Sequence, residues 1–326
     1  MPHAATPSMT RPLRGRTAEQ SGATLTHHTL ARLKNATDRV WRLAARHMQT
    51  KSEPRTQEQI REHYEIERQL ANRLRHASKQ ERRHLYSSLY DELFRRVPLH
   101  PQLTRKTSPA ETRQAVETQM KFLRPFLTDE STFMEVGPGD CALSYEVTRF
   151  VRKVYAVDVS DEISKSRTTP TNFRLLLSDG CSIPLPRSSV DVAYSNQLME
   201  HLHPDDALEQ LSSIYRTLVP GGFYICITPN RLTGPHDVSR RFDAIATGFH
   251  LREYTISDLR ILFREAGFSR VRVYVGGKGV YRGFPAIPLT LCESLVSRLP
   301  STLGRSIARR LPFRVFFSTV RIVGTK

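Results

Sequence analysis

From residue 131 the chain alternates short runs rich in β-branched and aromatic residues with longer runs of helical period, and this alternation restricts the fold more than any other feature. TFMEV (132–136), RKVYAVDV (152–159), FRLLLSD (173–179), VDVAYSN (190–196) and GGFYICITP (221–229) read as strands, with helices filling the gaps. Such a pattern calls for βαβ units and a parallel sheet. ALEQLSSIYRTLV (207–219) reads as a helix stopped by Pro220-Gly221-Gly222, and TISDLRILFREAG (255–267) as one capped by Thr255 and Asp258 and ended by Gly267. Two more strands, SRVRVYVGG (269–277) and VFFSTVRIVG (315–324), are not linked as a βαβ unit. The apolar, basic insertion between them, 278–314, reads as short helices.

The turn after the first strand carries the chemistry. Gly137-Pro138-Gly139-Asp140-Cys141-Ala142 matches G-x-G-x-x-A, and Asp158 lies about 20 residues further on, at the end of the second strand. Glycines there allow a tight turn and close backbone approach to a ligand, and the Asp158 carboxylate can accept from both hydroxyls of a ribose. A nucleoside is expected, but the turn alone does not choose between a dinucleotide and a sulfonium nucleoside. Two acids bear on that choice. Glu135, just before the turn, would repel a pyrophosphate and welcome a sulfonium cation, and Asp179, with Gly180, ends the third strand where an acid can accept from an adenine amino group.

Together EVGPGD, VDVS, SDG, LMEHL, LVPGGFYICITPN and HLREYTISDLRILFREAGF resemble the class I S-adenosylmethionine-dependent methyltransferases, in the broad group that includes small-molecule enzymes of the ubiquinone pathway. The resemblance covers roughly 110–277 and the last strand. It implies a Rossmann-like, doubly wound α/β fold with a seven-stranded sheet whose last strand is antiparallel. It also implies S-adenosylmethionine as cofactor, with Glu135, Gly137 and Gly139 at its methionine end, Asp158 at its ribose and Asp179 with Gly180 at its adenine. Ser195 and Asn196 would lie near the transferred methyl.

The flanks differ from this middle part. The net charge of +17 sits almost wholly outside 131–277, which is close to neutral. Residues 1–28, rich in Pro, Ser, Thr and Arg, read as a disordered arm. Residues 29–130 read as a helical extension or lid, with Leu33, Val40, Ala44 and Met48 in one segment, Ile60, Tyr64, Leu70 and Leu74 in a second, and Leu85, Leu89 and Leu93 in a third that stops at Pro98. The methyltransferase domain would then run 131–326, with 278–314 inserted before its last strand. The four cysteines, Cys141, Cys181, Cys226 and Cys292, form no C-x-x-C pair, which fits a reducing, cytoplasmic setting, and no apolar stretch is long enough to span a membrane.

A sulfonium methyl is already activated, so such an enzyme gains most from aligning the acceptor. A base is needed only where the acceptor must lose a proton. His236, in the long connection after the fifth strand, is placed first for that role, followed by His250 and His201; Arg231 on the same rim suits an anionic acceptor. His201 and His203 alone lack the further spaced ligands of a metal site, and no metal is expected. The leading expectation is a small-molecule or lipid-linked acceptor, with peripheral contact to an anionic membrane through the insertion. An RNA-directed enzyme using the basic ends is the alternative, although SNQLMEH at the fourth strand is unlike the Asn/Asp-Pro-Pro-aromatic loop of base amino methylases. A non-catalytic membrane-surface protein and an NAD-dependent dehydrogenase are the remaining readings.

Overall fold

The computed structural model describes residues 53–104, 108–160, 169–277 and 279–326. The arm read over 1–28 and the helix carrying Leu33, Val40, Ala44 and Met48 lie outside them. Helices α1 (Gln57–His76) and α2 (Lys79–Arg96) each begin at a capping box, Thr56 with Gln59 and Ser78 with Glu81, which satisfies amides that a helix start leaves bare. Ile60, Leu70, Ala71 and Leu74 on α1, and Tyr86, Leu89 and Leu93 on α2, are buried at helical spacing. α3 (Pro109–Leu123) starts at a third such box, Ser108 with Glu111.

The mixed α/β part then runs β1 (Thr132–Val136), α4 (Ala142–Val147), β2 (Lys153–Asp158), β3 (Phe173–Leu177), β4 (Val190–Asn196), α5 (Pro204–Thr217) and β5 (Leu218–Pro229). After a long connection come α6 (Ile256–Glu265), β6 (Arg270–Gly277), β7 (Val280–Phe284), α7 (Ala286–Ser297), α8 (Ser301–Arg309), α9 (Phe313–Phe317) and β8 (Thr319–Thr325). The strands form an eight-stranded sheet in the order β3-β2-β1-β4-β5-β8-β6-β7. β1 to β5 pair in parallel, and β8 lies antiparallel between β5 and β6. Strand order reverses between β1 and β4, so the loops leaving their carboxyl ends diverge and open a crevice.

The period-two alternation of the strands divides the core. Met134 and Ala193 pack on the face shared with α1, α2, α5 and α6, whereas Phe133, Val192 and Tyr194 pack on the face covered by α3 and α4. α1 and α2 thus belong to one continuous hydrophobic core with the sheet.

The doubly wound fold with an antiparallel last strand is as the sequence suggests, with three local differences. α5 ends at Thr217, before the Pro-Gly-Gly, and β5 runs through those residues with a register shift opposite Val190 and Val192. Gly221 sits at φ +80° there, and a Cβ on Gly222 would come within 3.0 Å of Asp191 O, so the glycines serve a bulge inside the strand. The insertion opens with β7, a hairpin partner of β6 that extends the sheet by one edge strand, before its helices begin. Phe313–Phe317 is helical, which shortens the last strand at its start.

Candidate functional site

The β1–α4 turn has the backbone that its glycines allow. Gly137, Gly139 and Cys141 adopt φ of +68°, +54° and +57°. A Cβ on Gly137 would lie 3.0 Å from Leu198 Cδ1, whereas one on Gly139 would meet nothing within 4 Å. Gly137 N–H donates to Val157 O (2.9 Å), and Gly139 N–H to the Asp158 carboxylate, which ties the turn to the end of β2. Asp158 Oδ1 also accepts from the amides of Val159 (2.7 Å) and Ser160 (3.3 Å). Burial raises the Asp158 pKa, and these amides oppose the rise.

Glu135 is buried at the foot of the turn and accepts from Ser144 Oγ at 2.5 Å. Burial pushes its carboxyl up to about 8, helped by the neighbouring charges of Asp140 and Asp158. Three carboxylates therefore surround one glycine turn. A pyrophosphate would add negative charge to that set, whereas a cation would relieve it. The donor set fits a sulfonium nucleoside.

At the neighbouring edge, Asp179 Oδ1 accepts from the amides of Cys181 (3.0 Å) and Ser182 (2.7 Å) and from Ser182 Oγ (2.8 Å), and its Oδ2 lies 3.3 Å from Arg83 Nε. Burial alone would raise its pKa, but these partners hold it below the usual carboxylate range. Gly180, at φ +87°, is covered by Tyr86 of α2, whose ring carbon would lie 2.8 Å from an added Cβ. Gln210 donates to its carbonyl.

The two residues at the end of β4 point to opposite faces. Ser195 is fully buried and bonds the Tyr224 hydroxyl at 2.7 Å, inside the helix-covered core, so it does not reach the crevice as expected from sequence. Asn196 is half-buried on the other face, 3.5 Å from Gln119 Oε1 of α3. The peptide after it is strained: Gln197 takes φ +58°, and its N–H donates to Ile227 O.

Beyond this turn lies a buried polar cluster. His201 Nδ1 lies 3.0 Å from both Phe249 O and the Tyr90 hydroxyl, and its ring meets that of His250 edge-on, with centroids 4.9 Å apart. Burial pushes His201 down to about 3. His250 Nδ1 bonds Glu253 Oε1 at 2.8 Å. Burial would lower the His250 pKa, but Glu253 and the nearby Glu200 raise it overall.

His236 is placed differently from its sequence ranking. Its Nε2 faces Asn230 O and Thr233 Oγ1, both at 3.1 Å, and its own N–H donates to Glu253 at 2.6 Å, so it braces the connection after β5. His203 is spent as well, its ring accepting from Asp205 N at the start of α5. Arg231 pairs with Asp258 at 3.3 Å.

Sequence reasoning passed over Tyr86, Tyr90 and Glu200, and took Glu253 only as part of a loop brace beside His250. Tyr86 and Tyr90 stand four residues apart on α2 and so share a face, a signal present in the sequence. Glu200 adjoins His201 in LMEHL, where the histidine drew the attention. The role of Glu253 emerges only from the fold, because it joins His236 and His250 across the loop.

Residues 134–226 match a family model described as a methyltransferase domain. That region, with the sheet order described above, resembles the class I S-adenosylmethionine-dependent methyltransferases. It is 32% identical over 138 residues to a probable S-adenosylmethionine-dependent methyltransferase of Mycolicibacterium smegmatis, covering 42% of this chain and 51% of that protein. A Mycobacterium tuberculosis protein described in the same words is 30% identical over 139 residues, covering 42% of this chain and 48% of that protein. The chain thus spans about half the length of the curated relatives it matches. Among solved structures, Haemonchus contortus phosphoethanolamine N-methyltransferase 1, in complex with phosphoethanolamine and S-adenosylhomocysteine, aligns with a TM-score of 0.50 and 15% identity, over 77% of this chain and 50% of that one, which is a likeness of fold. S-adenosylmethionine is named as the methyl donor of the relatives that this region resembles.

Proposed function

We propose that the protein transfers a methyl group from S-adenosylmethionine to a lipid-linked acceptor presented at a membrane surface. The donor half rests on one observation, the gathering of Glu135, Asp140 and Asp158 around a turn whose glycines allow close approach. Glu135 and the Gly137–Gly139 backbone would hold the methionine end, Asp158 the ribose, and Gly180 beneath Tyr86 the adenine. S-adenosylmethionine supplies a methyl already activated by its sulfonium, so the chain's work is to align the acceptor and exclude water. Tyr86 and Tyr90 contribute to the second task by covering the crevice from α2. A hydroxyl acceptor must also lose a proton. The candidates for that step are His201 and His250, while His236 is occupied as a brace.

The acceptor half is supported by the insertion. Ile287, Leu291 and Leu295 form an outward stripe on α7 and are 67%, 61% and 64% exposed. The stripe lies in a segment, 278–326, whose single acid is Glu293 among nine Lys and Arg. Apolar residues ringed by cations suit the surface of an anionic bilayer.

The test uses methyl-labelled S-adenosylmethionine with total lipid, aqueous-metabolite and RNA fractions. Label is expected in the lipid fraction, and label confined to the aqueous or RNA fraction would overturn the acceptor assignment. Asp158→Ala is expected to weaken nucleoside binding by about 1.5–3 kcal/mol for each charge-assisted hydrogen bond lost. Unchanged affinity by calorimetry would refute the placement of the ribose.

A further inference from the structure

Three groupings of side chains have ligand atoms close enough to meet one ion: His63, Glu67 and His100; Cys181, Asp206 and Glu209; and Glu200, His201 and His250. In the first two the acids are already engaged. Glu67 takes His63 Nε2 at 2.8 Å and Phe249 N–H at 2.8 Å, and the other ring nitrogen of His63 sits 2.8 Å from the Arg55 guanidinium. Asp206 is engaged by Arg82 through both oxygens and by Tyr86.

The third grouping is not satisfied. Glu200 is fully buried, and its Oε2 accepts from Thr228 Oγ1 at 2.8 Å, yet its Oε1 has no hydrogen-bond partner among the described residues. A buried carboxylate oxygen without a partner is costly and calls for an explanation. Both histidines are prepared in the same way. The Phe249 carbonyl can only accept, so His201 Nδ1 carries its proton toward it; the Glu253 carboxylate likewise receives the proton of His250 Nδ1. Each ring keeps its Nε2 lone pair for another ligand. Metal-bound histidines are usually held like this, with the far nitrogen donating to a carbonyl or carboxylate that fixes tautomer and ring orientation.

We propose that Glu200, His201 and His250 bind a divalent first-row transition-metal ion. One ligand atom from each residue lies within 4.8 Å of the other two, so small side-chain rotations would bring all three to about 2 Å from a single ion. Two imidazoles and one carboxylate favour Mn, Fe, Co or Zn over Mg or Ca, and three protein ligands leave coordination positions open. The grouping follows Asn196 and the strained Gln197 by a few residues and faces the connection after β5, where it would meet an acceptor. If the methyltransferase reading holds, an acceptor hydroxyl would fill an open position, and the ion would lower the pKa of that hydroxyl so that its proton passes to solvent before the methyl arrives, with His201 and His250 acting as ligands in place of bases. The ion itself does not depend on that reading. Sequence reasoning missed the site because it paired His201 with His203, which caps α5, while His250 lies 49 residues away in the chain.

The test uses the full chain stripped with chelator, dialysed and titrated with Co²⁺ or Mn²⁺, in parallel with S-adenosylhomocysteine. One ion per chain is expected, with Co²⁺ giving visible d–d absorption of a site with imidazole ligands. Glu200→Gln should lower the affinity at least tenfold, and Glu253→Gln, which frees the His250 ring, by roughly 10–100-fold. His203→Ala should bind as the wild type does. Stoichiometric binding that survives Glu200→Gln, or no Co²⁺ spectrum from the wild-type chain, would overturn the proposal whether or not the variants fold. In the second case Glu200 would be a neutral buried acid. Nucleoside binding without metal binding rejects the ion alone, and metal binding without nucleoside binding rejects the methyltransferase reading and leaves the ion in place.

Discussion

Two helical segments lie on either side of the region that matches the methyltransferase model, and they treat their apolar residues in opposite ways. α1 and α2 turn theirs inward, where Leu70, Leu74, Leu89 and Leu93 are almost wholly buried in the same core as Met134 and Tyr224. α7 is apolar on two sides. Leu289 and Val296 are buried against the domain, and Glu293 on that inner side accepts from the amides of Ile256 and Ser257 at the start of α6. Ile287, Leu291 and Leu295 on the other side face outward. A helix that is apolar all round requires an apolar environment on both sides. The difference separates an addition that completes the fold from one that reaches beyond it.

The largest effect should come from the joint between α2 and α5. Arg82 grips Asp206 through two bonds of 2.7 Å, and the Tyr86 hydroxyl donates to the same carboxylate at 2.6 Å, all of it buried. Arg82→Ala would leave a buried carboxylate with its main partner gone, and a loss of about 3–5 kcal/mol is expected in chemical unfolding. A change below 1 kcal/mol would mean that α2 is loosely applied and that its burial contributes little. Leu89→Ala tests the same helix through packing. A fully buried leucine cut to alanine should cost about 2–5 kcal/mol, depending on how far the gap collapses. If the cost fell to the level of a surface substitution, the contrast between the two additions would disappear.

The contrast also marks how far the sequence could be read. The strands were legible because short β-rich runs alternate with helical ones from 131 onward, and the antiparallel end was implied by the resemblance, which a last pair of strands not linked as a βαβ unit suits. β7 was hidden, since VYRGF is short, lies at an edge and gains its regularity only by pairing with β6. Pro220-Gly221-Gly222 looked like a helix stop because local signals cannot distinguish a terminator from a bulge that admits a neighbouring carbonyl. In the candidate site, the backbone of the turn was legible because its glycines express positive φ directly, whereas the link of Asp158 to a ribose belongs to the proposed function. Ser195 was placed near the methyl by the resemblance alone; the strand bounds were read correctly, and the alternation along β4 turns its side chain to the core toward Tyr224. The histidines were legible as residue types and not as partners: His201 and His250 meet only because the connection after β5 folds back over β4, and that long-range closure has no local signature.

The smallest expected change in stability belongs to the outward stripe, and it is paired with a clear change in behaviour. Replacing Ile287, Leu291 and Leu295 together by serine removes no buried contact, so unfolding should shift by no more than about 0.5 kcal/mol per site, the range of ordinary surface substitutions. The same variant should fail to float with vesicles containing anionic phospholipid, while the unaltered chain floats with them and is partly released as salt screens its cations. Two results would break the comparison. A large loss of stability would mean that the stripe is covered within the fold, as in α1 and α2. Equal flotation of the variant would mean that the basic residues alone hold the surface. If flotation is lost and stability retained, the outer side of α7 contacts lipid, and the acceptor of the proposed methyl transfer is to be sought in the same phase.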